Sequence, residues 1–392
     1  MSENFARHFL LDEDVLFLNH GSYGACPRTV FEKYQSWQLQ LERQPVAFLD
    51  HPRGLMHWMR DARVALGEEL STDADNIVGV TNATAGLNIV ARSLDLKPGD
   101  EILTTDQEYA ALDKTWDYVA LRTGAKIVAV NIPMPLISEA AFTDAIISGL
   151  NAHTKVLFLS HITSETAVVF PIKRAVEEAR KRGIITVIDG AHVLGHIPLD
   201  LEDIGADFYA GNCHKWLMAP KGSAFLYASP EMQEHIDPLV ISHGWTKDSK
   251  SIGAKGGFGN SPFIDGLEMQ GTRDPAAWLS VPSALEFRHR HNWDDVALQC
   301  RELARETAKR VALLTGLEPL SSQEFCAPQM VAMPVPACDP VELKNKLLKD
   351  YNIEIPVFNW QQHTIVRLSV QGYNTQAQMD TLVGALKELL GL

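Results

Sequence analysis

The chain has 392 residues, 46% of them hydrophobic and 21% charged, which suits one large domain plus a smaller one and excludes a disordered or fibrous chain. A formal charge of −14, with no clustered basic face, argues against nucleic acid or an anionic membrane surface as partner. No apolar run approaches the roughly 18–20 residues of a membrane span, and Met1-Ser2-Glu3-Asn4 lacks the basic and apolar regions of a signal peptide, so a cytoplasmic protein is expected.

Along the chain, residues 1–60 form an N-terminal segment. An extended Phe17-Leu18-Asn19 run precedes a polar, aromatic-rich helical stretch that could pack on either domain. Between 61 and 281, short β-branched runs at 76–80, 101–105, 126–131, 155–161, 184–189, 207–211 and 223–228 alternate with helical patterns such as 84–94 and 171–182. This alternation predicts an α/β domain of parallel strands joined by helices. The second of those helices opens on Pro171 and closes on Lys181-Arg182-Gly183, both expected end signals. Residues 252–271 are rich in glycine and weak in periodicity, and read as a loop. From 282 to 392, helices at 283–314, 339–351 and 375–390 accompany strands at 329–334 and 365–370, which predicts a smaller α+β domain.

The five cysteines (Cys26, Cys213, Cys300, Cys326 and Cys338) are scattered and show no CxxC pairing. Neither a disulfide framework nor a metal site is suggested. Cys213-His214 could hint at a thiol nucleophile, but adjacent strand residues point to opposite faces.

The chemistry concentrates in Val187-Ile188-Asp189-Gly190-Ala191-His192 and, downstream, Asn212-Cys213-His214-Lys215-Trp216. An acid ending a buried strand can hold a protonated pyridine nitrogen, and a lysine ending a neighbouring strand can form a Schiff base with an aldehyde. Both fall at strand C-terminal ends, where open α/β sheets bind ligands. Together they point to pyridoxal 5′-phosphate carried on Lys215, with an amino acid as the small-molecule substrate. Alone, either dipeptide would read as an N-capping aspartate or a surface lysine.

Thr81-Asn82-Ala83-Thr84-Ala85-Gly86 lies between a strand and a helix, where small residues let backbone N–H groups and a hydroxyl approach a phosphate. Asn and Thr are also good N-caps, and that reading suffices without the lysine motif. Arg367, in Ile365-Val366-Arg367-Leu368-Ser369-Val370, is a charge inside a strand pattern. Its fork suits a carboxylate, and an arginine on a solvent face would look the same. His20, in a Gly-flanked turn, and His161, ending an apolar strand, are each explained by local hydrogen bonding.

These motifs make the sequence resemble the fold type I pyridoxal-phosphate enzymes of the class V aminotransferase family, and within it the isopenicillin N epimerase-like branch. The resemblance rests on Leu18-Asn19-His20-Gly21-Ser22, Asn82-Ala83-Thr84, Asp189-Gly190-Ala191-His192, His214-Lys215-Trp216 with Pro220-Lys221-Gly222, Gly271-Thr272, and Arg367-Leu368-Ser369 with Tyr373-Asn374-Thr375. It implies a large three-layer α/β/α domain with a mainly parallel seven-stranded sheet, and a homodimer with shared active sites. It also implies roles. Lys215 would be the Schiff-base lysine and proton carrier, and Asp189 the partner of the pyridinium nitrogen. His192 would stand near the phenolic oxygen. Ala83, Thr84, Asn212 and His214 would hold the phosphate, with Thr272 reaching it from the other subunit. Tyr109 would stack on the ring and Thr163 touch its edge. Arg367 would bind the α-carboxylate, with Asn19 and His20 on the substrate side.

The stretch Pro356-Val357-Phe358-Asn359-Trp360-Gln361-Gln362-His363 carries no cysteine where cysteine desulfurases have their nucleophile, which argues against persulfide transfer. The resemblance implies Cα deprotonation by Lys215 and leaves the next step open. Epimerisation, with Tyr109 or a mobile His20 as second proton donor, is the first choice. A C–S β-lyase, of the cysteine-conjugate or hercynylcysteine sulfoxide type, and an aminotransferase are the alternatives. A non-catalytic pyridoxal-phosphate-binding regulator is the reading outside enzymes.

Overall fold

Strands that bury both faces read as near-continuous apolar runs and pair into sheets covered on either side. A computed structural model of the chain describes residues 5–251 and 253–392. Six such runs and one more exposed edge strand, β3, form β1 (Ile77–Val80), β2 (Glu101–Thr105), β3 (Lys126–Val130), β4 (Thr154–Ser160), β5 (Ile185–Asp189), β6 (Phe208–Asn212) and β7 (Ala224–Ala228). They make one sheet in the order β1-β7-β6-β5-β4-β2-β3. All lie within a residue or two of the expected runs. One correction concerns direction, because β7 runs antiparallel to both β1 and β6. A parallel partner needs a crossover of about a dozen residues or more, and the segment between β6 and β7 spends its length on the lysine loop instead.

Successive side chains on these strands enter opposite cores, as period-2 geometry requires. Val187 and Phe208 join Val78, Leu87 and Leu226 on one face; Ile188 and Tyr209 join Leu157 and Phe225 on the other. Helix Ala83–Ser93 covers the first face and helix Lys173–Lys181 the second, giving three layers.

The smaller sheet contains β8 (Met330–Val335), β9 (Val357–Trp360) and β10 (His363–Ser369), antiparallel in the order β9-β10-β8. Strand β9 was not among the expected strands. The single helix expected over 283–314 is two, Val281–Arg290 and Trp293–Thr315, because Asn292 turns left-handed at φ 45°. Helix Gln376–Leu390 opens with a capping box between Thr375 and Gln378. The expected loop over 252–271 contains helix Pro262–Glu268: Ser261 caps it, Pro262 starts it, and Phe263, Ile264 and Leu267 are buried. Met1–Asn4 and Ile252 lie outside the described residues, and the leader reading with them.

The N-terminal segment touches the small sheet and the lysine loop of the large domain. Leu16–Phe17 pairs in parallel with Ile353–Glu354, and the Ser369 amide donates to the Leu18 carbonyl at 3.0 Å. The chain then turns at Gly24 (φ +67°), where an added Cβ would lie 2.1 Å from the His214 carbonyl oxygen and 2.9 Å from that of Lys215. The strap therefore rests directly on the lysine loop, and only glycine permits it. Gly24→Ala should destabilise the protein by roughly 3 kcal/mol, combining left-handed strain with overpacking. Thermal or urea unfolding checks this, and an unchanged midpoint would show that the strap yields freely.

Candidate active site

Strand β5 ends in Asp189, and the next residue must be bare, since a Cβ on Gly190 would sit 1.9 Å from the Tyr209 ring. The tight turn brings the Ala191 amide to Asp189 Oδ1 at 2.9 Å. No hydrogen bond engages Asp189 Oδ2 among the described residues, so this oxygen can accept from a ligand. Burial raises the Asp189 carboxyl to about 6, against the Ala191 amide and the charge of Lys215, which both favour the carboxylate.

Lys215 follows β6 in the loop to β7, and its Nζ lies 2.9 Å from His192 Nε2. Burial lowers its amine to about 7; the charge of Arg367 acts in the same sense, and Asp189 opposes both. An amine in this range is a nucleophile and a base at neutral pH. Burial also holds the His192 imidazole far below its ordinary range, helped by Lys215 and Arg367.

At the start of helix Ala83–Ser93, the Asn82 side chain caps the Ala85 amide at 2.8 Å, and the Ala83 amide donates to Asn212 Oδ1 at 2.8 Å. The cap reading of Asn82 and the binding reading of its neighbours thus coexist. The Thr84 amide and hydroxyl carry no hydrogen bond among the described residues, at the positive end of an 11-residue helix. His214 Nδ1 donates to the Ser223 carbonyl at 3.2 Å, and burial lowers this imidazole to about 4.

Arg367 on β10 is 6% exposed, so it does not occupy a solvent face. Its Nη2 donates to Ser22 Oγ at 3.0 Å, and Nη1 donates to the Ser164 carbonyl and, at 3.2 Å, to Ser164 Oγ. Its Nε is buried with no partner among the described residues. Burial lowers this guanidinium to about 10, opposed by Glu165 and Tyr109. The unmet Nε and the planar fork fit a carboxylate. Tyr109, at the start of helix Ala110–Thr123, is 43% exposed.

The remaining expected residues lie less directly at the chemistry. His20 is fully buried: Nε2 donates to the Lys215 carbonyl at 3.0 Å and Nδ1 accepts from Tyr373 Oη at 2.9 Å. It is held rather than mobile, and it supports the lysine backbone. Asn19 accepts the Ser22 hydroxyl that Arg367 also touches. The Thr163 hydroxyl accepts from the Val168 amide at 2.8 Å and meets Thr166 Oγ1 at 2.7 Å, so it braces a turn. His161 Nδ1 meets Tyr209 Oη at 3.0 Å. Thr272 is exposed and makes no hydrogen bond to this cluster among the described residues.

Three residues escaped the sequence reading. Ser22 and Ser164 steer Arg367, and Ser22 stands inside a quoted motif, yet a serine carries no periodic signal. Glu108 precedes Tyr109 and is buried; it accepts from Thr105 Oγ1 at 2.7 Å, the Ser160 amide at 2.8 Å and Ser160 Oγ at 2.6 Å. Burial raises its carboxyl to about 8 in spite of these donors.

A free carboxylate oxygen at one strand end, a lysine amine lowered to about 7 after the next, the unpaired Thr84 amide and hydroxyl at a helix start and a half-satisfied arginine together fit a phosphate-bearing pyridine aldehyde with an amino-acid substrate. That donor set on this sheet defines an α/β enzyme of the fold type I class. The chain belongs to the aminotransferase class-V family, whose model matches residues 25–382. It is 34% identical over 386 residues to isopenicillin N epimerase of Streptomyces clavuligerus, covering 97% of this chain and 96% of that protein. It is 28% identical over 429 aligned positions to L-cysteine desulfhydrase of Arabidopsis thaliana, covering 100% of this chain and 90% of that protein. Among solved structures it shares the fold of the cysteine desulfurase CsdA from Escherichia coli, with TM-score 0.81, 24% identity and 98% of each chain covered.

An amine near 7 captures aldehydes as its neutral fraction grows. Reductive methylation of Lys215 by formaldehyde and cyanoborohydride in the cofactor-free full chain, followed by peptide mass spectrometry, should rise through a midpoint near pH 7. A midpoint near the ordinary 10.5 would contradict the burial argument.

Proposed function

We propose that this enzyme inverts the α-carbon of an amino acid, or of an amino-acid-bearing side chain, in the manner of the isopenicillin N epimerases. The cofactor is pyridoxal 5′-phosphate. Residues 61–281 would form the domain that holds it, and 282–392 the small domain that brings Arg367 to it. Asp189 Oδ2 would receive the pyridinium N–H and His192 would face the phenolic oxygen. Ala83, Thr84, Asn212 and His214 would hold the phosphate. Thr272 of the partner subunit would complete that end in a cytoplasmic homodimer. When bound, the cofactor supplies an electron sink for a carbanion at Cα.

The protein's own part follows from three groups. Arg367 fixes the substrate carboxylate through its fork. Lys215, neutral at working pH, takes the Cα proton. Tyr109 stands ready to return a proton from the other side. The observation that carries this reading is the Arg367 fork, buried on β10 and steered by Ser22 and Ser164, with an Nε that has no partner among the described residues and can take a carboxylate. His20 leaves the list of second donors because both its nitrogens are engaged in the interior.

A second reading, C–S β-elimination, has its support in the desulfhydrase likeness and needs only Lys215 and a leaving group on Cβ. Persulfide transfer is not favoured, because residues 356–363 hold no cysteine.

Incubating the enzyme with a panel of amino acids and cysteine conjugates in D₂O separates these outcomes. Deuterium in recovered substrate of inverted chirality supports epimerisation. Pyruvate with a released thiol or sulfenate would replace it by elimination, and a keto acid by transamination. Arg367→Ala should raise KM for any α-carboxylate substrate about 10- to 100-fold, the worth of charge-assisted hydrogen bonds. An unchanged KM would remove Arg367 from the carboxylate role.

A further inference from the structure

The hydrogen bonds around Lys215 place the proton on each neighbouring imidazole. A carbonyl only accepts and an indole N–H only donates. His196 Nδ1 lies 3.0 Å from the His192 carbonyl and its Nε2 receives the Gln329 amide at 2.9 Å, so its proton is on Nδ1. At His192 the arrangement is reversed. Trp216 Nε1 lies 3.4 Å from His192 Nδ1, so Nδ1 is bare and Nε2 carries the hydrogen toward Lys215 Nζ, 2.9 Å away. An N–H facing an amine requires that amine to accept, and only a neutral lysine can.

We propose that Trp216 is a positioning residue that locks His192 as the Nε2–H tautomer and thereby keeps the Lys215 amine neutral and nucleophilic. A protonated Nζ would have to donate to His192 Nε2, which would move the imidazole hydrogen onto Nδ1, against the Trp216 N–H. Trp216 is itself fixed: it is fully buried, stacks on His196 at 3.9 Å between ring centroids, and its carbonyl accepts from Arg288 Nη1 at 3.2 Å. The groups acting on Lys215 are Arg367, Asp189 and His192; those acting on His192 are Lys215, Arg367, His196 and His214. None of them supplies a second acceptor for the His192 imidazole. The device builds on the reading of Lys215 as the cofactor lysine, since the same N–H is what His192 would present to the phenolic oxygen.

The test is the pH midpoint of Lys215 reductive methylation with formaldehyde, read in the cofactor-free full chain. Trp216→Phe should raise that midpoint by about half to one pH unit, a change one hydrogen bond can supply. In a His192→Gln background no imidazole tautomer remains, so adding Trp216→Phe should leave the midpoint unmoved. An unshifted single variant overturns the proposal, and so does an equal shift in both backgrounds, which would mean that Trp216 acts by packing alone. Should Trp216→Phe fail to fold, ¹⁵N-histidine NMR of the wild-type chain decides: His192 Nδ1 must be the unprotonated nitrogen, and a protonated Nδ1 ends the idea. Formaldehyde does not require the cofactor. A chain that never turns yellow with pyridoxal 5′-phosphate would therefore sink the functional reading while leaving this measurement intact.

Discussion

Burial, with the charge of Arg367 acting in the same sense, makes a proton on the Lys215 amine costly, and the site is organised around that constraint. Lys215 comes from the large sheet and Arg367 from the small one, so packing the two sheets together brings the charges into one dry space. Water would screen them, but Gly24 and His20 seal the lysine loop from behind. Repulsion is relieved in two ways. The lysine gives up its proton, and a substrate carboxylate can settle on the arginine. In the proposed reaction the same strain would prepare the nucleophile and reserve a place for the substrate.

Much of the fold was legible because every strand of the large sheet but the edge strand β3 is buried on both faces, and such apolar runs have little else to be. Direction is not written in such runs, which is why β7 was read as parallel. Its reversal is forced by the short lysine loop before it. Strand β9 hid in a polar, aromatic stretch whose burial comes from tertiary partners, β10 beside it and helix Pro340–Tyr351 packed against it. The break at Asn292 depends on a left-handed residue that helical periodicity passes over, since Trp293 resumes an apolar stripe at once.

The site divided along a similar line. Lys215, Asp189 and Thr84 were visible because each ends a strand or begins a helix, positions that local sequence marks. Arg367 was visible as a misplaced charge, but its orientation was not. Ser22 and Ser164 hold it from segments distant in sequence, and no spacing rule links them. Thr163 and His20 show the converse: tertiary contacts, which local sequence does not reveal, engage their polar atoms.

The histidines bear on the reaction as a group. Burial lowers His20 and His196 to about 3, His161 and His214 to about 4, and His192 well below its ordinary value. At neutral pH each is an uncharged imidazole with a fixed tautomer or a fixed partner. Such groups orient neighbours well and move protons poorly, because taking one up means creating a buried cation beside Lys215 and Arg367. Glu108, at about 8, holds its proton but spends both oxygens on Thr105 and Ser160. Proton traffic at the substrate therefore falls to the groups left with freedom and reach. Those are Lys215 on one side and the half-exposed phenol of Tyr109 as candidate on the other, which is the minimum that inversion at a carbon centre requires.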